Sequence, residues 1–522
     1  MQEKLFSYFS IKRVLILWLF ITAINLLKPF HIDDTFHIEV AQWIEKNPFK
    51  PMSGKINWGF NPNFIHTFNQ PPLFFSIMAV WGHYFSYSEV SLHFLLSIFT
   101  FLSVYFFSRI YYSITPRKNA LGIYLFSLSP ALIINQNIMV EMPVLAFILA
   151  IMYRLIKPNP KFFDYFIIAI LFSFSLLIKY SVLPMFAIVL VAIFIKNRTR
   201  FFKYSSLLLI PIFVLLVWSY ANYLEYGGIH FLDRPKNELS LFQIGKMSVV
   251  LLSTIGAFLP FYFLYFKLNF KHIIILSGAT IVFPLLVYWA IIPEPISNVV
   301  LYVVFMLAAI LAFFHLFKYY IKNGVDKNQL ILFSSLVFFS VFLIVFAPFM
   351  ASRHLLLILP FLILLSMPIF ETRHLNTQNA ALGISVIFAL WMNVSDWQQA
   401  NFYKKAAKEI AVLIPQKKYT IGHWGWQFYS KKEGFIEYGT DSSKLILGDI
   451  LIAPNNISKQ AINKKINTES FGFYTQPPTF STFLSGKSFA NFYNSSGKRT
   501  AWSYSNRAID TVFFLKVVSI SE

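Results

Sequence analysis

The chain has 522 residues, of which 57% are hydrophobic and 13% charged, with 61 Phe, no Cys and a formal net charge of +21. A mean hydropathy of +0.59 and repeated apolar runs near the ~20 residues that cross a bilayer exclude an ordinary soluble protein. The missing Cys excludes disulfides, thiolate nucleophiles and Cys-based metal sites, and the Lys and Arg excess falls mostly in short loops between apolar runs, where it orients helices rather than binding nucleic acid.

Lys4, Lys12 and Arg13 precede the run Val14 to Leu27. No small-x-small cleavage site follows, so this segment reads as an uncleaved first helix with its N-terminus in the cytoplasm. Lys28 to Gln70 is polar and aromatic and is broken by Pro48, Pro51 and Pro62. It suits an extracytoplasmic loop, 31–88, with interfacial helices. One of these is predicted from Asp33 to Ile44, where Phe36, Val40, Trp43 and Ile44 recur at helical spacing. Pro71 to Tyr87 is apolar but short and carries Gly82 and His83. Read as re-entrant or interfacial rather than as a crossing, it leaves Arg109, Arg117 and Lys118 inside together with the later positive clusters.

The remaining crossings are predicted at 89–112, 119–136, 139–156, 162–179, 181–196, 205–222, 247–266, 273–291, 297–317, 329–350, 353–370 and 380–395. With the first helix they make about 13, an odd number that places the C-terminus outside. The basic stretches Lys196 to Arg200, Lys267 to Lys271 and Lys318 to Lys327 then face the cytoplasm, whereas the loops near Asn135, Pro293 and Ala351 have few basic residues. From about Asp396 the composition shifts. Phe402 to Leu413 reads as an amphipathic helix, and Tyr419 to Ile421, Asp449 to Ala453 and Thr511 to Val517 read as strands punctuated by Gly422, Gly448 and Pro454. The expected fold is mainly α: a polytopic membrane helix bundle, 1–395, followed by a small extracytoplasmic α+β domain, 396–522.

Acidic residues are scarce, so the stretch His31 to Glu39, with Asp33, Asp34 and Glu39 beside the first apolar run, stands out. On a helix the Asp33 and Asp34 side chains diverge by about 100°, so they do not share one proton as a dyad. Either one faces a site and the other supports it, or both cap and charge a helix N-terminus. Glu141 sits near the start of the apolar run Ile138 to Ile156, where an ionisable group is costly and marks either function or an interfacial cap. Lys179 ends one crossing and Arg353-His354 begin another at the same outer face. They are placed either to donate to a substrate phosphate or to snorkel. His31, His37 and His66 with Glu39 lack metal-ligand spacing. No Gly-rich phosphate loop, nucleotide fingerprint or HExxH pattern occurs. No cofactor is therefore expected, and a divalent metal has no motif to support it. Trp43, Trp58, Trp81, Trp424 and Trp426 are residues that a membrane interface collects.

The ordered set Asp33-Asp34, Asn69-Gln-Pro-Pro-Leu73, Met139-Val-Glu-Met-Pro143, Leu177-Ile-Lys-Tyr180 and Arg353-His-Leu-Leu-Leu-Ile-Leu-Pro360 resembles the GT-C glycosyltransferases. The nearest branch is that of protein O-mannosyltransferases and lipid A aminoarabinose transferases. Gly422-His-Trp-Gly-Trp426 and Gly448-Asp-Ile-Leu-Ile-Ala-Pro454 look like the soluble end of bacterial members. The resemblance implies inverting transfer of a sugar from a polyprenyl-phosphate donor to a lipid, glycan or protein hydroxyl outside the cytoplasmic membrane. It makes Asp33 the base, Asp34 its support and Glu141 a second acid, with Lys179 and Arg353 facing the lipid phosphate; His354, next to Arg353, and His66 are further candidate substrate-binding residues. The chain departs from the pattern in having Asp-Asp where Asp-Glu is usual, Glu141 where Asp is more frequent, and Gln70 where Lys or His is common. For the cation missing at 70, His66 or Lys55 is a candidate substitute. Two other classes remain open. A transporter or flippase of lipid-linked sugars would need mid-helix charges and an internal repeat. A surface-polysaccharide polymerase or ligase would use a lipid pyrophosphate.

Overall fold

The computed structural model describes residues 2–115, 119–233, 240–259, 262–265, 274, 278, 296–477, 492–493, 500–505 and 507–521. The first part is helical apart from one short strand pair: α1 (Gln2–Asn25), α2 (Asp34–Lys46), β1 (Lys55–Ile56), β2 (Asn63–Phe64), α3 (Leu73–Phe85) and α4 (Glu89–Ile114). Next come α5 (Leu121–Ser127), α6 (Pro130–Ile134), α7 (Glu141–Ile156), α8 (Phe162–Leu176), α9 (Met185–Lys196), α10 (Phe201–Ser205), α11 (Leu209–Tyr226) and α12 (His230–Asp233). The helical part closes with α13 (Leu241–Phe258), α14 (Tyr262–Tyr265), α15 (Ile296–Asn323), α16 (Lys327–Phe346), α17 (Leu359–Phe370) and α18 (Leu375–Leu413).

Six segments among the described residues are long and apolar enough to cross a membrane: Glu89–Ile114, Arg198–Tyr226, Leu241–Phe258, Leu301–Asn323, Lys327–Phe346 and Leu375–Leu413. Five shorter apolar helices accompany them. The crossing expected at 273–291, the basic loop 267–271 and the residues Arg117, Lys118 and Pro293 lie outside the described residues, apart from 274 and 278. Several expected crossings are interrupted where proline dictates. The run 119–136 breaks between α5 and α6 because Pro130 has no N–H to continue the ladder. Ser129 caps the new start, its Oγ accepting from Leu132 N at 3.2 Å. The run 353–370 opens as a 3-10 turn, Ser352–Leu357, ahead of α17, which carries Pro360 in its first turn. Helix α3, at 13 residues, is about 20 Å long and falls short of the ~20 residues a crossing needs. It packs on α2 and α4.

The C-terminal part forms a five-stranded sheet from β3 (Lys418–Thr420), β4 (Ile436–Glu437), β5 (Ile450–Pro454), β6 (Ile466–Thr475) and β7 (Thr511–Ile520). Its order is β4-β3-β5-β7-β6. Strand β3 runs parallel to β4 and β5, and β7 runs antiparallel to β5 and β6. Helix α19 (Trp424–Lys432) follows β3 and packs against α18 and α2. The boundary expected at 395/396 falls inside α18, one continuous helix of 39 residues. No Gly or Pro occurs between Gly383 and Pro415, so nothing stops the helix where the composition turns polar.

Candidate functional site

The turn ahead of α2 carries Asp33 under constraint. Ile32 adopts φ +49°, an outlier for a β-branched residue and a form of strain that persists only when the surroundings enforce it. Several bonds enforce it here. The Asp34 carboxylate accepts from His31 N at 2.8 Å, the Tyr429 hydroxyl accepts from Phe30 N at 2.8 Å, and Thr35 Oγ1 donates to Trp424 O at 2.8 Å. Asp33 occupies the N-cap position of α2 but makes no side-chain cap bond. Its carboxylate instead meets the Arg353 guanidinium at 3.3 Å. Asp34 is fully buried and turned back into the protein, so the two adjacent acids diverge.

Glu141 opens α7, where the positive end of the helix favours a carboxylate. It is buried, accepts from Lys179 Nζ at 2.6 Å, and is ion-paired with Arg353, whose Nε lies 3.1 Å away. Arg353 thus bridges two carboxylates from different helices, with Lys179 on the far side of one of them. Its Nη1 is buried and has no hydrogen-bond partner among the described residues. The bridge is positioned from several directions. Ser352 donates from Oγ to Asn135 Oδ1 at 3.1 Å and from N to Phe492 O at 2.7 Å. The His37 ring, one turn along α2, meets the carbonyl of Ile138 just ahead of α7, and Leu73 N donates to Leu177 O at 3.1 Å next to Lys179.

Asp33, Lys179, Arg353 and His354 line one cavity of about 580 Å3 together with Asn69 and Gln70. One side of it is aromatic, with Phe36, Trp58, Phe68 and Phe231; another is the apolar strip Phe342 to Phe349 at the end of α16. Tyr180 and Ser181 complete the wall beside Lys179. Tyr180 is fixed by Trp218 Nε1 donating to its hydroxyl at 3.0 Å, and by the His230 ring at 3.0 Å. The cavity therefore combines two cations, one half-buried carboxylate, polar side chains suited to hydroxyls, and a greasy wall.

Asp33, Glu141, Lys179, Arg353 and His354 come together from four separate stretches of chain. Asp34 lies beneath them. His66 is not brought to this cavity: its ring stacks on Tyr226, with centroids 4.3 Å apart and planes within 7°, and on Phe64 at 5.3 Å. Lys55 sits over the Phe64 ring at 4.6 Å. Neither replaces a cation at Gln70, which itself lines the cavity. Among the described residues no group of three His, Asp or Glu is arranged to hold a metal ion.

Sequence reasoning missed the support under the Asp33 turn. Lys28 and Asp396, both fully buried, form an ion pair. The Tyr493 hydroxyl donates to Asp396 at 2.7 Å and accepts from Asn137 Nδ2 at 2.5 Å. A lone Lys just after an apolar run and a lone Asp in α18 are the only sequence traces of this network, and 368 residues separate them.

A scan against protein-family models and a search of curated proteins return no match. Among solved structures the chain is similar to ArnT from Cupriavidus metallidurans bound to undecaprenyl phosphate, at 12% identity over 86% of this chain and 92% of that one, with a TM-score of 0.37. It is also similar to the Archaeoglobus fulgidus oligosaccharyltransferase tethered with an acceptor peptide, at 11% identity over 82% of this chain and 64% of that one, with a TM-score of 0.46. Likeness at this level describes chain arrangement and assigns no reaction.

Proposed function

We propose that the chain is a membrane glycosyltransferase that moves a sugar from a polyprenyl-phosphate donor to an acceptor hydroxyl at the Asp33 cavity. The observation that carries this reading is Arg353, held between Asp33 and Glu141 with one buried guanidinium nitrogen left without a partner among the described residues. A buried, unpaired N–H is costly unless something binds it, and a phosphate oxygen is the partner a guanidinium fits best. The apolar strip Phe342 to Phe349 gives a prenyl chain a place to lie while its phosphate reaches the cations. Asn69, Gln70 and the aromatic wall supply the hydrogen bonds and flat faces that sugars use.

In this reading Asp33 Oδ takes the proton of the acceptor hydroxyl. The acceptor oxygen then attacks the anomeric carbon from the side opposite the leaving group, forming the new glycosidic bond as the sugar–phosphate bond breaks. Polyprenyl phosphate departs with the bonding electron pair, and its added charge falls on Arg353 and Lys179, which Glu141 has already oriented. Asp34 does not touch substrate and acts as a positioning residue for the turn that carries Asp33.

The test is donor use by protein reconstituted into vesicles with a cell-envelope extract as acceptor source. Release of polyprenyl monophosphate from a monophosphate-linked sugar, followed by mass spectrometry, is the expected result. Consumption of pyrophosphate-linked donors alone would replace this reading with that of a polysaccharide polymerase or ligase.

A further inference from the structure

Helices α7, α8, α9 and α16 have a second end, and the chain gathers a different cavity there. Helix α7 is 16 residues long, about 24 Å, so its C-terminal end lies roughly a hydrocarbon core away from Glu141. At that far end, the loop between α7 and α8, the link from α9 to α10 and the start of α16 surround a cavity of about 660 Å3. Its lining contains six cations, Lys161, Lys196, Arg198, Arg200, Lys203 and Lys327, and no carboxylate.

None of the six forms an ion pair among the described residues. The two neighbouring acids are committed elsewhere: Asp164 to Arg154 at 3.1 Å and Lys157 at 2.6 Å, and Asp326 to the first N–H groups of α16, Asn328 N at 2.7 Å and Gln329 N at 2.8 Å. Several of the cations are held in place by uncharged partners. Arg200 Nη1 donates to the Tyr204 hydroxyl at 3.1 Å, and Lys196 Nζ donates to Lys157 O and Asn328 Oδ1, both at 2.7 Å. Arg198 lies over the Phe194 ring at 5.2 Å and Lys203 over Phe162 at 5.7 Å. Loop cations that serve only to orient helices have no reason to converge from three segments on one concavity.

The surroundings identify the anion. Phe163, Phe194 and Phe202 are 67%, 53% and 86% exposed on the flanking helix ends, so apolar surface fit for hydrocarbon stands directly beside a basic pocket between helices, the arrangement that takes a lipid headgroup. We propose that this cavity binds the phosphate headgroup of an anionic membrane lipid, in the leaflet opposite the Asp33 cavity. The apolar helix ends take the acyl chains, and the cations take the phosphate oxygens through charge-assisted hydrogen bonds. The inference uses no residue of the Asp33 cavity and stands independently of the transferase reading.

The experiment titrates the purified full chain in a neutral detergent with short-chain phosphatidylglycerol, short-chain phosphatidylcholine, or inorganic phosphate, and reads bound lipid by native mass spectrometry. The wild type is expected to hold phosphatidylglycerol in preference to phosphatidylcholine. The triple variant Arg198→Gln/Arg200→Gln/Lys203→Gln should bind it about 100-fold more weakly, from about tenfold per 1.4 kcal/mol and ~1 kcal/mol per cation. Should the triple variant fail to fold, Lys203→Gln alone should weaken binding about fivefold by the same arithmetic. Unchanged binding in a folded variant overturns the site. Displacement of the lipid by millimolar inorganic phosphate overturns the lipid assignment in favour of a soluble anion.

Discussion

Arg353 is the side chain on which the candidate site turns, because it is the one that joins Asp33 to Glu141. A lysine at this position keeps the charge but loses the planar fork that reaches two carboxylates and a third ligand at once. Arg353→Lys should therefore fold and still lose about 100-fold in turnover, of the order seen when one transition-state donor is removed, as measured by single-turnover transfer. Asp34 makes a separate prediction. Burial pushes its carboxyl from the usual value near 3.8 up to about 8, against the opposing pull of the His31 N–H. The folded protein then holds this proton more tightly than the unfolded chain, so the stability it contributes is full below about pH 4 and is lost as pH rises to about 8. Thermal unfolding across that window should show a midpoint falling with pH, and Asp34→Asn should flatten the slope. Single residues were the most legible level of the sequence: a charge in oil needs a reason, and Asp33, Glu141, Lys179 and Arg353 all stand at the ends of apolar runs. What the chain could not display is which of them touch. His66 illustrates the limit, since its nearness in sequence to Gln70 says nothing about the ring stack with Tyr226 that holds it elsewhere.

The Asp33 turn and helix α19 form a single working element. Gly425 lies so close to the turn that an added Cβ would stand 2.3 Å from Phe30 O. Gly425→Ala should displace the turn and depress transfer while leaving helical content by circular dichroism intact. Underneath, the buried Lys28–Asp396 pair ties the end of α1 to α18. Removing either partner alone should cost about 3–5 kcal/mol by stranding a buried charge, whereas Lys28→Met with Asp396→Leu should cost far less. A double-mutant cycle on denaturant unfolding checks this. Elements were readable where a rule acts locally: apolar runs marked helices, Pro130 split one of them, and β3, β5 and β7 followed from short strand-like runs, with Gly422, Gly448 and Pro454 as punctuation. Strand β6 escaped because its residues are largely exposed and polar, leaving no alternation to detect. The length of α18 escaped because a change of composition does not end a helix unless a helix-stopping residue accompanies it, and none does here.

At the scale of the whole molecule, the bundle carries two cavities of opposite character at its two ends. One balances cations with carboxylates and adds an apolar wall; the other is purely cationic. The proposed topology, with positively charged loops on one face and an extracytoplasmic reaction on the other, requires such a polarity. Reporter fusions after Thr115 and after Glu522 should accordingly report opposite sides of the membrane, and a shared side would reverse the assignment for α3. The most direct test of the transferase reading compares wild type with Asp33→Asn in the same vesicles, supplied with a polyprenyl-phosphate sugar and acceptor. Both proteins should bind the lipid phosphate alike, because Lys179 and Arg353 remain, and only the wild type should transfer sugar at a measurable rate. Full transfer by Asp33→Asn at equal expression would contradict it.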